Sequence, residues 1–249
     1  MDFKFLKPTK ESIEILYEYI NCGENVSTEF KYSIEDSRKL AKTISAFANT
    51  NGGKIYIGIK DNKKIIGIKN DEELYMVDMA LKLYVKPKVN HEIKIWQVLE
   101  KKELKNVIHN KKEKYIIELI INKSENGPHF AKNEKNLWKA YFRLNDQNIE
   151  IDNLALHLIK TKKKLKDSYS FVYSTNEHKV FNILKHDKLN LFQISSKTLL
   201  PIPVIKKILT SLYLVKAITF EITINGTFFK ANDNFNSQFL TPGQKIYLK

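Results

Sequence analysis

The stretch from Glu24 to Ile68 constrains the fold of this chain more than any other. Ser27 to Tyr32 is short and extended in pattern. Ser33 or Asp36 then stands where a helix cap belongs, and Leu40, Ile44, Phe47 and Ala48 form one apolar stripe behind it. Asn51-Gly52-Gly53 is a strong turn signal. KIYIGI follows as a buried strand, and Asp61-Asn62-Lys63 is a hairpin-like turn into IIGI. Strand, helix, glycine turn, strand, turn, strand is an α+β order, with a mixed sheet and flanking helices.

Elements on either side extend this unit. Leu16, Tyr17 and Ile20 keep helical spacing, and Cys22-Gly23 ends that helix. A second helix is expected from about Asp71 to Tyr84, closed before Pro87. HEIKIWQV alternates as a strand, KYIIELIIN is an apolar strand, and the charged stretch between them reads as a connecting loop. Trp138 to Leu144 is a further strand, and NLALHLIK a helix running into Lys160, Lys162, Lys163, Lys164 and Lys166. That basic run is the expected domain boundary, giving domains of 1–166 and 167–249.

Beyond it the pattern is mostly helical. NEHKVFNILKH, LFQISSKTLL and PIPVIKKILTSLYLV are three helix candidates, and AITFEITINGTFFKA alternates around Asn225-Gly226, a favoured hairpin turn. Three helices followed by a hairpin is the order of a winged helix-turn-helix.

Charge narrows the function. The net charge is +14, from 42 basic against 28 acidic residues. About +9 of it lies in 151–249, where 15 basic residues face 6 acidic ones. A protein this basic usually meets a polyanion. Only Arg38 and Arg143 are arginines, and a lysine-, isoleucine- and asparagine-rich chain also fits an AT-rich genome. One cysteine, Cys22, permits no disulfide within the chain and points to a reducing compartment. No signal-type or membrane-spanning apolar run occurs, so a cytoplasmic protein without a membrane partner is expected. None of the six histidines forms a two-histidine zinc motif.

Three carboxylates carry the candidate chemistry. Glu24 and Glu29 lie five apart, and Asp61 ends the KIYIGIK strand. If the two strands are neighbours, all three can gather at one sheet edge, where magnesium or manganese would neutralise them. A metal beside a phosphodiester is nuclease chemistry. On spacing alone the plainer reading leads: Glu24 and Glu29 pair with lysines such as Lys31, and Asp61 is a turn residue.

GENVSTEFK followed by KLAKTISAFANTNGGKIYIGIKDNKKIIGI resembles the Schlafen-type AlbA domain. The carrying residues are Glu24, Glu29-Phe30-Lys31, Ala46-Phe47-Ala48-Asn49-Thr50, Gly52-Gly53, Gly58 and Gly67. KSENGPHF and YFRLNDQNIEI resemble the family's later strands, so the likeness spans roughly residues 10–160. It implies nucleic-acid binding. Many bacterial members carry a C-terminal winged helix and are described as DNA-binding regulators. Animal Schlafen proteins include metal-dependent ribonucleases, whose three acids correspond to Glu24, Glu29 and Asp61. Two departures stand out: Asn25 replaces the usual Ser, and this chain has one lobe where the RNA-cutting members have two. A homodimer would restore the second.

The family's divergent AAA label brings no ATP site. Gly52-Gly53-Lys54 lacks the spacing and hydroxyl of a phosphate-cradling loop. Lys31, Arg38, Lys39, Lys42 and Arg143 are candidates for phosphate contacts in the first domain. Lys197, Thr198, Lys206, Lys207 and Thr210 are candidates in the second. The leading expectation is a DNA-binding transcriptional regulator. A magnesium- or manganese-dependent endoribonuclease acting on structured RNA is the alternative, and a protein-interaction module is a third.

Overall fold

The computed structural model describes residues 4–6, 9–68, 70–98, 114–164, 170–235 and 241–247. The chain divides into two compact units, 1–150 and 151–249.

The first unit runs β1 (Lys4–Leu6), α1 (Lys10–Cys22), β2 (Thr28–Lys31), α2 (Ser37–Asn49), β3 (Gly53–Ile57), α3 (Glu72–Leu83), β4 (Val85–Lys86), β5 (His91–Val98), β6 (Lys114–Ile121), β7 (Phe130–Lys132), β8 (Trp138–Leu144) and β9 (Gln147–Glu150). A five-stranded mixed sheet has the order β1-β5-β6-β3-β2. Its β1/β5 and β2/β3 pairs are parallel and the others antiparallel. A four-stranded antiparallel sheet has the order β4-β7-β8-β9.

Helix α2 is the centre of the unit. Nine of its thirteen residues are buried, because it is covered on several sides rather than along one stripe. Ile44, Phe47 and Ala48 pack with Ile55 and Ile57 of β3, Leu119 of β6, and Ala131 and Tyr141 of the second sheet. Small residues at Ala41, Ser45, Ala46 and Ala48 let those backbones approach. Asp36 starts the helix, its carboxylate accepting the Arg38 N–H at 2.8 Å. On the other face of the five-stranded sheet, Leu16 and Ile20 of α1 pack on Phe30, Tyr56 and Ile116.

The second unit contains α4 (Asn153–Lys164), β10 (Ser170–Tyr173), α5 (Thr175–His186), β11 (Leu189–Asn190), α6 (Leu191–Thr198), α7 (Ile202–Leu214), β12 (Ile218–Thr223), β13 (Gly226–Ala231) and β14 (Gln244–Tyr247). The small sheet has the order β11-β13-β12, and β10 pairs with β14. Leu184, Ile194, Ile205, Leu209, Leu212 and Phe229 form its core.

Three expectations shift. The boundary falls at 150/151 rather than 166/167, because Leu154 and Leu158 bring α4 into the second core. The hairpin turn is Ile224-Asn225, since Thr223 pairs with Gly226; Gly226 opens β13 at φ +108°. The turn at Asp61 leads not to a ladder but to one bridge, Ile59 to Ile65. The charged connection 99–113 and Lys166 lie outside the described residues.

Candidate functional site

Alternation along β2 sets the site. Phe30 is buried beneath α1, so Glu29 and Lys31 face the side of α2. There Glu29, 7% exposed, meets Arg143 of β8, 1% exposed, with Oε2 to Nη2 at 2.7 Å. The same guanidinium donates to Asn148 Oδ1 at 3.0 Å and the Asn25 carbonyl at 3.1 Å, and its centre lies 5.0 Å from the Phe47 ring. Asn148 in turn donates to Thr43 Oγ1 at 2.9 Å. Lys31 closes the other side of the Glu29 carboxylate. Desolvating two charges is costly, and the single Arg143–Glu29 bond, the Lys31 ammonium and the Asn148 and Asn25 acceptors offset it, while Arg143 Nε is buried without a hydrogen-bond partner among the described residues.

Beside this network opens a cavity of about 480 Å³, lined in part by Glu29, Lys31, Lys39, Lys42, Thr43 and Asn148. Its cations are largely committed. Lys31 is on Glu29 and Lys42 holds Glu134 at 2.7 and 3.0 Å; Arg38, outside the lining, holds the lining residue Asp36 at 3.1 Å. Burial works to raise the Asp36 carboxyl, but hydrogen bonds from the Arg38 side chain and backbone outweigh it and hold it below its usual value. The Lys42 ammonium lowers Glu134 in the same way. Lys39 is exposed and makes no ion pair among the described residues.

The carboxylates expected at a metal are placed otherwise. Glu24 caps its own loop, Oε1 accepting the Phe30 N–H at 2.7 Å. Glu29 is neutralised by Arg143 and Lys31. Asp61 is exposed at its turn, beside Tyr32, Lys60 and Asn62. Among the described residues no group of three or more His, Cys, Asp or Glu could hold a metal ion. This donor set does not fit magnesium or manganese as arranged.

Arg143, expected on phosphate, is instead a buried structural charge. Thr198, expected to face DNA, is buried, with its hydroxyl on the Ile194 carbonyl at 2.7 Å. Lys197 is held by Asp187, which lowers the Asp187 carboxyl first through that hydrogen bond. Lys206 and Lys207 are exposed and free of ion pairs among the described residues. With Pro203 and the half-buried Thr210 they occupy one face of α7 at helical spacing.

Several motif residues turn out to be structural. Asn49 clamps the second sheet: its amide donates to the His129 and Tyr141 carbonyls at 2.8 and 2.9 Å and accepts the His129 N–H at 2.7 Å. Thr50 Oγ1 accepts the Arg143 N–H at 2.8 Å. Gly52 has φ +77°, and a Cβ there would stand 2.7 Å from the Ile121 carbonyl oxygen. Gly58, at φ +101°, would meet Gly67 at 2.9 Å. Glu118 belongs to no sequence motif, yet it is 1% exposed. It accepts from Trp96 Nε1 at 2.8 Å, Tyr56 OH at 3.0 Å and Lys54 Nζ at 3.1 Å. Burial, then the Glu118 charge, pushes the Tyr56 hydroxyl far above its usual value. A lone acid inside the apolar run KYIIELII was the available signal.

A mixed sheet, a helix buried between two sheets, and a turn of glycines on the strand edge define an AlbA-like α+β domain. The Schlafen, AlbA_2 family profile matches residues 24–152, just over half of the chain, and the chain belongs to that family. Membership points to a nucleic-acid-binding role. No curated protein matches the chain. Among solved structures, the DIP2311 protein from Corynebacterium diphtheriae is similar at 15% identity and a TM-score of 0.37. That match covers 70% of this chain and 34% of the other, so the chain spans about a third of that structure's length. Among the described residues no helix is long and apolar enough to cross a membrane.

Proposed function

We propose that the chain is a DNA-binding regulatory protein whose second unit is a winged helix. The order α5, β11, α6, α7, then the β12–β13 hairpin supports that reading. In such a unit the third helix, here α7, meets the nucleic acid.

One observation carries the proposal: Lys206 and Lys207 stand together on one exposed face of α7, free of ion pairs among the described residues. In the first unit Lys31, Arg38 and Lys42 are each bound to a carboxylate. On α7, Lys206 and Lys207 are not, among the described residues. Unpaired exposed lysines release counterions on meeting phosphate, so binding weakens steeply as salt rises. The helix offers few base-reading side chains, so phosphate contacts dominate over direct readout. Fluorescence anisotropy with duplex and single-stranded DNA and RNA at low salt is the test. Absence of binding to all of them removes the proposal.

Two copies acting as a dimer are part of this reading, and light scattering at binding concentrations checks it. The ribonuclease alternative rests on the family resemblance. Magnesium- or manganese-dependent cleavage of structured RNA that is lost in Glu29→Ala would support it. A stability control must accompany that variant, because Glu29 also holds Arg143.

A further inference from the structure

The second unit holds a cavity of about 360 Å³. That is at the small end of the ~300–1,000 Å³ usual for small-ligand sites, the scale of one nucleotide rather than a duplex. Leu154 and Phe229 supply an apolar floor, and both are buried. Phe192, the second residue of α6, lines the cavity yet is 71% exposed. An aromatic ring left that open loses the benefit of burial unless something covers it.

Its polar rim suits a nucleotide. Asn190 uses its side-chain oxygen to cap α6, accepting the Gln193 N–H at 3.0 Å, and its amide NH₂ makes no hydrogen bond among the described residues. The Asn225 side chain at the hairpin turn is likewise uncommitted among the described residues. Lys206 reaches the same cavity with no ion pair among the described residues. The one carboxylate, Asp152, is occupied: it accepts the Leu154 and Ala155 N–H groups at 2.8 and 2.9 Å and the Thr227 hydroxyl.

We infer that this cleft takes one unpaired nucleobase, stacked on Phe192, with the Asn190 and Asn225 amides at its edge and Lys206 on its phosphate. The inference rests on the nucleic-acid reading above and specifies its ligand: a strand with at least one base outside a duplex. Stacking on an aromatic face is sequence-tolerant, because every base has a π-face. A buried apolar side chain from a partner protein would use the Phe192 ring but not the uncommitted amides and the lysine. The surplus of positive charge in 151–249 also favours the polyanion.

The test uses the full chain with fluorescein-labelled oligo(dT), oligo(rU) and a DNA duplex of equal length. Phe192→Ala is expected to weaken single-strand binding about 5- to 100-fold, the usual range for removing one stacking ring. Phe192→Tyr keeps the ring and the affinity, and duplex binding changes less than about twofold, as sequence-independent phosphate contacts allow. Phe192 is exposed, so an unchanged melting temperature separates lost binding from lost folding. Equal loss on all three probes, or none on the single strands, overturns the inference while leaving wild-type binding and the regulatory reading intact. If the wild type binds no probe, both fall. If Phe192→Ala instead alters self-association, the cleft holds an apolar protein segment and the inference is overturned.

Discussion

The Arg143 guanidinium and the Glu29 carboxylate sit 2.7 Å apart, almost wholly withdrawn from water, and tie β8 to β2. This pair joins two segments more than a hundred residues apart in sequence. The acid expected to hold a metal is therefore the acid that fixes the second sheet. Arg143→Met leaves Glu29 buried without its main partner and is expected to cost about 3–5 kcal/mol. Urea denaturation measures it. The double variant Arg143→Met with Glu29→Met should recover most of that loss, because an apolar pair of similar volume needs no neutralisation. No recovery would show that the cost comes from lost packing on Phe47 instead.

Asn49 holds the His129 strand by bonds in both directions. Asn49→Ala removes these two and the bond to the Tyr141 carbonyl, while the His129 carbonyl keeps the Ser45 hydroxyl at 2.8 Å, for an expected loss of about 1–3 kcal/mol. Asn49→Asp should be at least as harmful, since a carboxylate cannot donate to the His129 and Tyr141 carbonyls. Thermal melts of the two variants against wild type decide it. A melt unchanged in Asn49→Ala removes the clamp.

Acid should weaken the start of α2. The folded Asp36 value lies below its unfolded one, so the carboxylate adds stability above the unfolded value. That contribution is lost as pH falls through the folded value. Asp36→Ala should therefore cost about 1 kcal/mol at neutral pH, the usual worth of an N-cap. The gap between the two proteins should narrow in strong acid, where wild type has lost its charged cap as well. Paired melts at neutral and strongly acidic pH show whether it does.

Charge reversal on α7 should be felt in binding and not in folding. Lys206→Glu with Lys207→Glu is expected to lower nucleic-acid affinity. It should also reduce the slope of log K against log salt by about 1 for each phosphate contact removed. Lys197→Gln, whose lysine is already held by Asp187, should change that slope little. Anisotropy titrations over a salt series measure both. A slope unaffected by the double reversal places the contacts elsewhere.

Much of this architecture was legible because local signals agreed with one another. The apolar stripe of Leu40, Ile44 and Phe47, the cap at Asp36 and the Gly52-Gly53 turn each pointed to one helix followed by one strand. What stayed hidden depended on distant partners. Nothing near Arg143 in sequence indicates that Glu29 neutralises it, so an exposed phosphate contact was the natural expectation. The boundary near residue 150 was masked for a similar reason. The lysines that close α4 look like a linker, while Leu154 and Leu158, a few residues earlier, decide which core the helix joins. Short strands such as β4, β7 and β11 carry too few residues to show a period.

The placement of the aromatic side chains has a practical result. Both tryptophans of the chain, Trp96 and Trp138, lie in the 1–150 unit. Trp96 donates to the Glu118 carboxylate, and Trp138 lies 3.8 Å beneath the Lys86 ammonium. Indole emission is thus a private reporter of one half of the molecule. It should change when the β-sheets around α2 come apart, and so follows the unfolding of that unit by itself.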